Sequence, residues 1–154
     1  MRLEYLCDME LAYREESLYQ GKFVVARPYD SQEAEAYGEG DGWVNGERLK
    51  GTARWVNHPH CRTDGVWLPN LHGVIQTEDG ASILFRLQGR TKFMIEGQGH
   101  QLLTVILQTG EEHYKWLNDS ICMLEGIIEG FTMRAKVFQC INDMTWKVKE
   151  KMGN

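Results

Sequence analysis

The dipeptide Asp79-Gly80 constrains the fold most, because it separates two stretches in which apolar and polar side chains alternate. Strict alternation is typical of β-strands with one buried face. Asp-Gly is a preferred pair in the two-residue turns that join antiparallel strands. The sequence therefore predicts a β-hairpin with arms Leu68–Glu78 and Ala81–Gly89.

A two-residue turn at this point would also fix the register of the hairpin. It places His72 opposite Leu87 and Val74 opposite Phe85. Side chains two residues apart share a face, so His72 is predicted among the apolar residues Val74, Ile83, Phe85 and Leu87.

Short strand patterns separated by glycine turns recur along the rest of the chain. Further strands are predicted at Leu3–Leu11, Lys22–Ala26, Glu47–Val56, Leu102–Thr109, Ile121–Glu129 and Thr132–Ile141. Helix is predicted only at Glu111–Asp119 and at Met144–Met152. Such a series of strands favours an all-β protein, and we predict a single antiparallel β-barrel domain over residues 1–154 with little helix.

Two segments fall outside the predicted barrel. Residues 28–42 contain five acidic residues and neither Lys nor Arg. They show no period of large apolar residues and are predicted to form a flexible acidic loop. Residues 144–154 are predicted to be a C-terminal tail, and the lysines near the end are expected to be solvated.

Charge and composition exclude several classes of partner. The formal net charge is -5, from 17 basic and 22 acidic residues, which argues against nucleic-acid binding. Apolar runs are too short to span a bilayer, so no membrane partner is predicted. The first eleven residues include three acidic ones, unlike a secretory signal, and the four cysteines show no CxxC pair. A cytoplasmic protein with reduced thiols is expected.

Five short motifs give the chain a likeness to a known group of proteins. They are Leu3-Glu4-Tyr5-Leu6, Gly46-Glu47-Arg48-Leu49-Lys50-Gly51, Asp64-Gly65, Thr77-Glu78-Asp79-Gly80-Ala81 and Tyr114-Lys115-Trp116-Leu117-Asn118. In these motifs the chain resembles the domain of unknown function 3237 family over nearly its whole length. The resemblance implies an antiparallel β-barrel and leaves the activity open. The chain departs from the family pattern at His72, where the family often has arginine, and it lacks the Asp-Trp pair that usually precedes the Asp-Gly turn.

Four polar residues on predicted strands are candidates for acid–base chemistry. His72 and Glu125 are the candidate catalytic bases, because burial among apolar neighbours shifts the pKa of an ionisable group toward a useful range. Arg86 and Arg90 are candidates for holding a carboxylate or a developing oxyanion. A core histidine and an internal salt bridge between Glu125 and an arginine explain the same residues without a ligand.

A second set of candidates suggests a ligand-binding pocket. It combines aromatic and polar side chains: Trp55, His58, Arg86, Arg90, Tyr114, Trp116 and Asn118. Aromatic walls with a few polar groups are typical of small-molecule sites, and also of barrel cores. No metal site is predicted, because His58, His60 and Cys61 lack a standard ligand spacing. No cofactor motif is present either, so no cofactor is predicted.

Three functions remain open on this basis. The favoured hypothesis is a small-molecule-binding barrel with a small organic ligand. The alternatives are a cofactor-free isomerase, lyase or cyclase acting by acid–base chemistry, and an oligomeric interaction module, in which the barrel forms a homodimer or a higher homo-oligomer.

Overall fold

A computed structural model describes residues 1–15, 19–94 and 96–144 of the chain. These residues form eleven strands and one short 3-10 helix, Glu112–Asp119. The strands are β1 (Arg2–Tyr13), β2 (Val24–Ala26), β3 (Ala34–Asn45), β4 (Lys50–Asn57), β5 (His60–Cys61), β6 (Trp67–Leu68), β7 (Asn70–Thr77), β8 (Ser82–Phe93), β9 (Gln98–Gln108), β10 (Ile121–Glu129) and β11 (Thr132–Ile141).

Eight of these strands close into a barrel. Each pairs antiparallel with the next in the order β1, β11, β10, β9, β8, β7, β4 and β3, and β3 pairs again with β1. Closure leaves none of the eight with a free edge. The predicted all-β single barrel is thus confirmed. No helix of the described segments has the length and apolar character needed to cross a membrane.

The predicted hairpin exists, but its register was wrong by one residue. The structure pairs His72 with Arg86 and Gln76 with Ser82. The loop has three residues rather than two, because the Thr77 N–H donates to the Ala81 carbonyl and Gly80 adopts a φ of 91°. Three-residue loops of this kind place glycine in the left-handed region. A slip of one residue exchanges the two faces, so His72 points away from the barrel core.

The predicted acidic loop is largely a strand, and this prediction was also wrong. From Ala34 the chain forms β3, which pairs with β1 on one side and β4 on the other. Its inward positions are the small residues Ala34, Ala36, Gly38, Gly40 and Gly42, and the acidic residues lie between them. The period of two is present, but alanine and glycine mark the inner face rather than large apolar residues.

The interior of the barrel is packed and its two ends differ. Side chains such as Ile83, Leu87 and Val105 are fully buried between the walls. The 3-10 helix lies where β9 ends and β10 begins, and buries Leu117 and Tyr114. We call this the closed end. The opposite end, where β1 and β4 finish and β9 begins, is the mouth. The predicted helix at Glu111–Asp119 is thereby confirmed as a 3-10 helix, whereas residues 145–154 of the predicted tail lie outside the described part of the chain.

Candidate functional site

A cavity of about 140 Å³ opens at the mouth of the barrel, and we call it the mouth pocket. Its walls come from strand ends and from the segments that cross the mouth. Five lining residues are aromatic: Tyr13, Phe23, Trp67, Phe93 and Phe131. Three neutral polar side chains, Asn57, Thr91 and Gln101, also line it, together with Pro59, Pro69, Ile128 and Gly130.

Tyr13, the last residue of β1, is the centre of the aromatic wall. Its ring meets Trp55 at 4.7 Å, Phe23 at 5.7 Å and Phe131 at 5.9 Å between centroids, each edge to face. Such T-shaped contacts are favourable beyond the apolar area that they bury. Trp67, on the short strand β6, leans against Phe23 from the far side. The four rings of Tyr13, Phe23, Phe131 and Trp55 therefore stabilise one another by packing, and the mouth pocket lies beside them.

Asn57, the last residue of β4, orients Tyr13 from below. The Asn57 amide donates to the Tyr13 hydroxyl at 2.9 Å, and its carbonyl accepts from the Asn70 backbone at 3.1 Å. Asn57 is only 7% exposed, and both of its polar atoms are used. Burial raises the pKa of Tyr13, an effect that the Asn57 hydrogen bond partly offsets, so the phenol is neutral near pH 7.

Gln101 and Thr91 face each other on the inner side of paired strands β9 and β8. The Gln101 amide Nε2 donates to the Thr91 hydroxyl at 2.9 Å. The Gln101 Oε1 atom is buried, and no donor within the described residues reaches it. A buried acceptor without a partner costs about 1–3 kcal/mol, and native proteins contain few of them. This unsatisfied acceptor is the feature of the mouth that most favours a ligand-binding site there.

Glycines of β3 make the space that the aromatic residues occupy. A Cβ at Gly38 would lie 2.4 Å from the Tyr13 ring, and one at Gly40 would lie 2.0 Å from the Ala12 carbonyl and 2.5 Å from the Trp55 ring. Contacts this short are sterically forbidden. Because Gly38 and Gly40 have no Cβ, the rings of Tyr13 and Trp55 can pack directly against the backbone of β3.

The predicted catalytic residue His72 lies outside the barrel. It is exposed, and its Nε2 contacts the Asn70 side-chain oxygen at 3.0 Å. Arg86, paired with it across the strands, shares a shallow outer groove of about 160 Å³. His72 shares its face with Val74, as expected, but the expectation that Ile83, Phe85 and Leu87 lie on that face was wrong, and the one-residue slip of the hairpin is the reason.

Glu125 also faces outward and has no arginine partner across the strands. It lies opposite Lys136 and Leu102 on the neighbouring strands. It lines a groove of about 540 Å³ on the outer wall. Ion pairs cross this groove, among them Lys136 with Asp8 at 3.0 Å. Asp8 and Glu10 are thus paired with Lys136 and Arg134 in this groove, and exposed pairs of this kind contribute little to stability.

His58 and Arg90 lie together in a separate polar groove of about 430 Å³ on the outer wall. In the same groove the Glu35 carboxylate contacts His60 Nδ1 at 2.6 Å and lies 3.6 Å from His58 Nε2. A carboxylate bound to one imidazole nitrogen orients the ring and leaves the other nitrogen available to a substrate. This groove holds an acid–base pair that the spacing of the residues did not reveal.

Trp116 and Asn118 belong to the closed end and have structural partners there. The Arg48 guanidinium lies 3.8 Å from the centre of the Trp116 ring, a cation–π contact. The Asn118 amide bonds the Thr109 backbone in both directions, at 2.8 and 2.9 Å. Asn118 therefore closes the turn that leads into the 3-10 helix.

Tyr114 is likewise committed to the closed end. Its hydroxyl donates to the Asp79 carboxylate at 2.9 Å, and the Thr77 hydroxyl donates to the same oxygen. These two hydrogen bonds hold the pKa of Asp79 below its usual range. Of the predicted ligand-binding residues, only Trp55 lies near the mouth pocket, where it supports the ring of Tyr13.

The histidines, cysteines and acidic residues of the described segments do not converge on a metal site. Among residues 1–15, 19–94 and 96–144, no group of three or more such side chains has the arrangement to hold an ion. The four cysteines are free thiols, and burial raises the pKa of Cys7 to about 12 and that of Cys122 to about 11. Thiols with raised pKa values are poor nucleophiles at neutral pH.

Comparison with known proteins shows the fold. A β-barrel-like protein from Acinetobacter baumannii AYE has a TM-score of 0.78 at 15% identity, and covers 90% of this chain and 94% of its own. A protein of unknown function from Clostridium acetobutylicum ATCC 824 has a TM-score of 0.79 at 16% identity, with coverages of 92% and 100%. An enzyme from Penicillium herquei has a TM-score of 0.67 at 22% identity, with coverages of 89% and 93%.

These likenesses carry no function to this chain, because all the identities are low. No protein-family model matches the sequence, and no significant match is found among curated proteins. Membership of the domain of unknown function 3237 family therefore stays a prediction. The site has to be argued from its own geometry.

Most of the mouth pocket was missed by sequence reasoning. Tyr13, Phe23 and Phe131 lie at strand ends or in loops, where the pattern of alternation stops. Gln101 could have been identified from the sequence. It is a polar residue at an inward position of β9, on the same face as Leu103 and Val105. A buried polar residue is the informative exception in an alternating strand.

Proposed function

We propose that this protein binds a small organic molecule in the mouth pocket. The observation behind the proposal is an aromatic-walled cavity lined in part by Gln101, whose buried Oε1 atom has no donor in the described protein. Concave sites with apolar walls and a few placed polar groups are the usual form of ligand pockets. The other cavities lie on the outer wall or at the closed end.

The experiment is a ligand screen by thermal shift and tryptophan fluorescence with small aromatic compounds, on the wild type and two tryptophan variants. Trp67→Ala removes a wall of the mouth pocket, whereas Trp43→Ala removes an indole from the outer surface. We expect Trp67→Ala to lose the ligand-induced shift and Trp43→Ala to keep it. Equal shifts in both variants would contradict the assignment of the site.

A second candidate function is acid–base catalysis, which the 2.6 Å contact between Glu35 and His60 favours. His60 takes the role that the sequence assigned to His72, with Glu35 as its orienting partner. His60 would accept a proton through its other ring nitrogen from a substrate bound in the polar groove beside Arg90.

Proton exchange tests this second function without a known substrate. A panel of small ketones in D2O is followed by NMR for loss of the proton next to the carbonyl. His60→Gln should abolish any exchange that the wild type catalyses, and His100→Gln, a histidine of the outer wall, should not. No exchange above the buffer rate with the wild type counts against this function and leaves the binding proposal intact.

A further inference from the structure

The size of the mouth pocket restricts the ligand first. A cavity of about 140 Å³ matches the roughly 150 Å³ engineered cavity that accepts one benzene molecule. Edge-to-face contacts fix Tyr13 against Phe23 and Phe131, so the walls are rings with little freedom to move aside. A single flat ring fits these walls, and a long flexible chain does not.

Charge restricts the ligand next. The cavity is lined by aromatic and proline rings, aliphatic groups and neutral polar side chains, with no charged residue in the described lining. A cation close to the lining is Lys22, whose ammonium lies 5.2 Å from the centre of the Phe131 ring and pairs with Glu15 at 3.4 Å. An ionised ligand would lose its hydration on entering the pocket and would find no group of opposite charge among the described lining residues, which is unfavourable.

The hydrogen-bonding groups restrict the ligand most. One N–H of the Gln101 amide donates to Thr91, and the Gln101 Oε1 acceptor has no donor among the described residues. Both polar atoms of the Asn57 side chain have partners in the protein: the amide nitrogen donates to the Tyr13 hydroxyl, and the oxygen accepts from the Asn70 backbone N–H. The mouth therefore presents a buried acceptor that only a donor can satisfy.

We infer that the ligand of the mouth pocket is an uncharged single-ring compound with an O–H or N–H group that donates to Gln101 Oε1. This inference rests on the proposed binding function and adds the chemical class of the ligand. Phenols and anilides are the simplest members of the class. The flat ring packs against the aromatic walls of the mouth pocket, and the donor replaces the partner that the protein does not supply.

Four probes of nearly the same size test this inference by calorimetric or NMR titration. Phenol has the ring and a donor, anisole has the ring and only an acceptor, toluene has neither, and benzoate is charged. A neutral hydrogen bond contributes about 0.5–1.5 kcal/mol, so we expect phenol to bind roughly threefold to tenfold tighter than anisole or toluene. Benzoate should bind most weakly.

Two glutamine variants locate the donor interaction. In Gln101→Leu the preference should reverse, because the phenol hydroxyl would lose water without gaining the Gln101 acceptor, while toluene still binds. Gln88→Leu, at an exposed position of β8, should keep the wild-type order. Should the leucine variant fail to fold, Gln101→Met has a side chain of similar length and serves the same purpose.

The outcomes separate the two proposals. If toluene or anisole binds the wild type as tightly as phenol, the donor inference is overturned and binding in the mouth survives. A phenol preference that persists in Gln101→Leu also overturns it. If none of the four probes binds, the proposed function itself fails.

Discussion

The two ends of this barrel contain similar residues, but they differ in how their polar groups are partnered. At the closed end the Thr77 and Tyr114 hydroxyls both donate to Asp79. At the mouth, Asn57 and Tyr13 bond to each other, while Gln101 Oε1 has no donor in the described protein. Aromatic residues occur at both ends, so they do not distinguish a site from a core.

This difference between the two ends supports our proposal that the mouth is the binding site. A buried polar group without a partner is destabilising, and proteins retain such groups mainly where function requires them. The closed end is covered by the 3-10 helix, whose residue Leu117 is fully buried. We call this helix the plug. Four variants or pairs of variants test this division.

The largest effect is expected at the plug. Leu117→Ala removes a side chain that is 0% exposed, and should lower the free energy of unfolding by about 3 kcal/mol. Leu102→Ala, at a position that is 59% exposed, is the matched control and should change it by less than about 0.5 kcal/mol. Urea unfolding measures both. A small loss at Leu117 would mean that the helix does not close this end.

A glycine variant tests how the mouth is built. Gly40→Ala forces a Cβ against the Ala12 carbonyl and the Trp55 ring, and should destabilise the fold by about 1–3 kcal/mol. Because Trp55 supports Tyr13, ligand binding should also weaken. Gly110→Ala is the control, since a Cβ there has nothing within 4 Å. Equal stability of the two variants would contradict the packing of β3 against these rings.

A pair of polar-to-apolar variants compares the two ends directly. Tyr114→Phe removes a satisfied hydrogen bond to Asp79 and should cost about 1 kcal/mol of stability. Gln101→Leu removes an unsatisfied acceptor but also the partner of the Thr91 hydroxyl, so its net effect should be near zero. If thermal unfolding shows Gln101→Leu to be the more damaging of the two, the mouth is structural and not a binding site.

The smallest effect is expected on the pH dependence of stability in acid. Hydrogen bonds from Thr77 and Tyr114 lower the pKa of Asp79 in the folded state. Its contribution is therefore fully present above the unfolded pKa of about 3.9, and is lost as the pH falls through the lower folded value. Asp79→Asn should show a shallower loss of stability on acidification than the wild type. Parallel curves for the two proteins would contradict this role of the carboxylate.

The sequence identified the architecture because large alternating side chains mark most strands. It failed where the inner face is built from small residues, as in β3, whose glycines and alanines gave no apolar period. It also misjudged a single turn residue, since Asp-Gly fits both two-residue and three-residue loops. That error moved His72 from the outer wall to the core.

The site was harder to predict than the fold for a physical reason. Its residues come from β1, β4, β6, β8, β9 and β10 and from segments between strands, and only barrel closure brings them together. No local motif joins Tyr13, Asn57 and Gln101. Trp55 was identified because tryptophans are conspicuous in any strand, whereas an inward glutamine shows its importance only when its partners can be counted.

The most direct test of the central claim uses the indole N–H signals of the tryptophans in a ¹⁵N-labelled sample. Trp67 lines the mouth pocket and Trp116 lies at the closed end. Titration with phenol should move the Trp67 indole signal and the Gln101 side-chain amide signals, and leave the Trp116 signal in place. Movement of Trp116 alone, with Trp67 and Gln101 unchanged, would contradict the assignment of the mouth as the binding site.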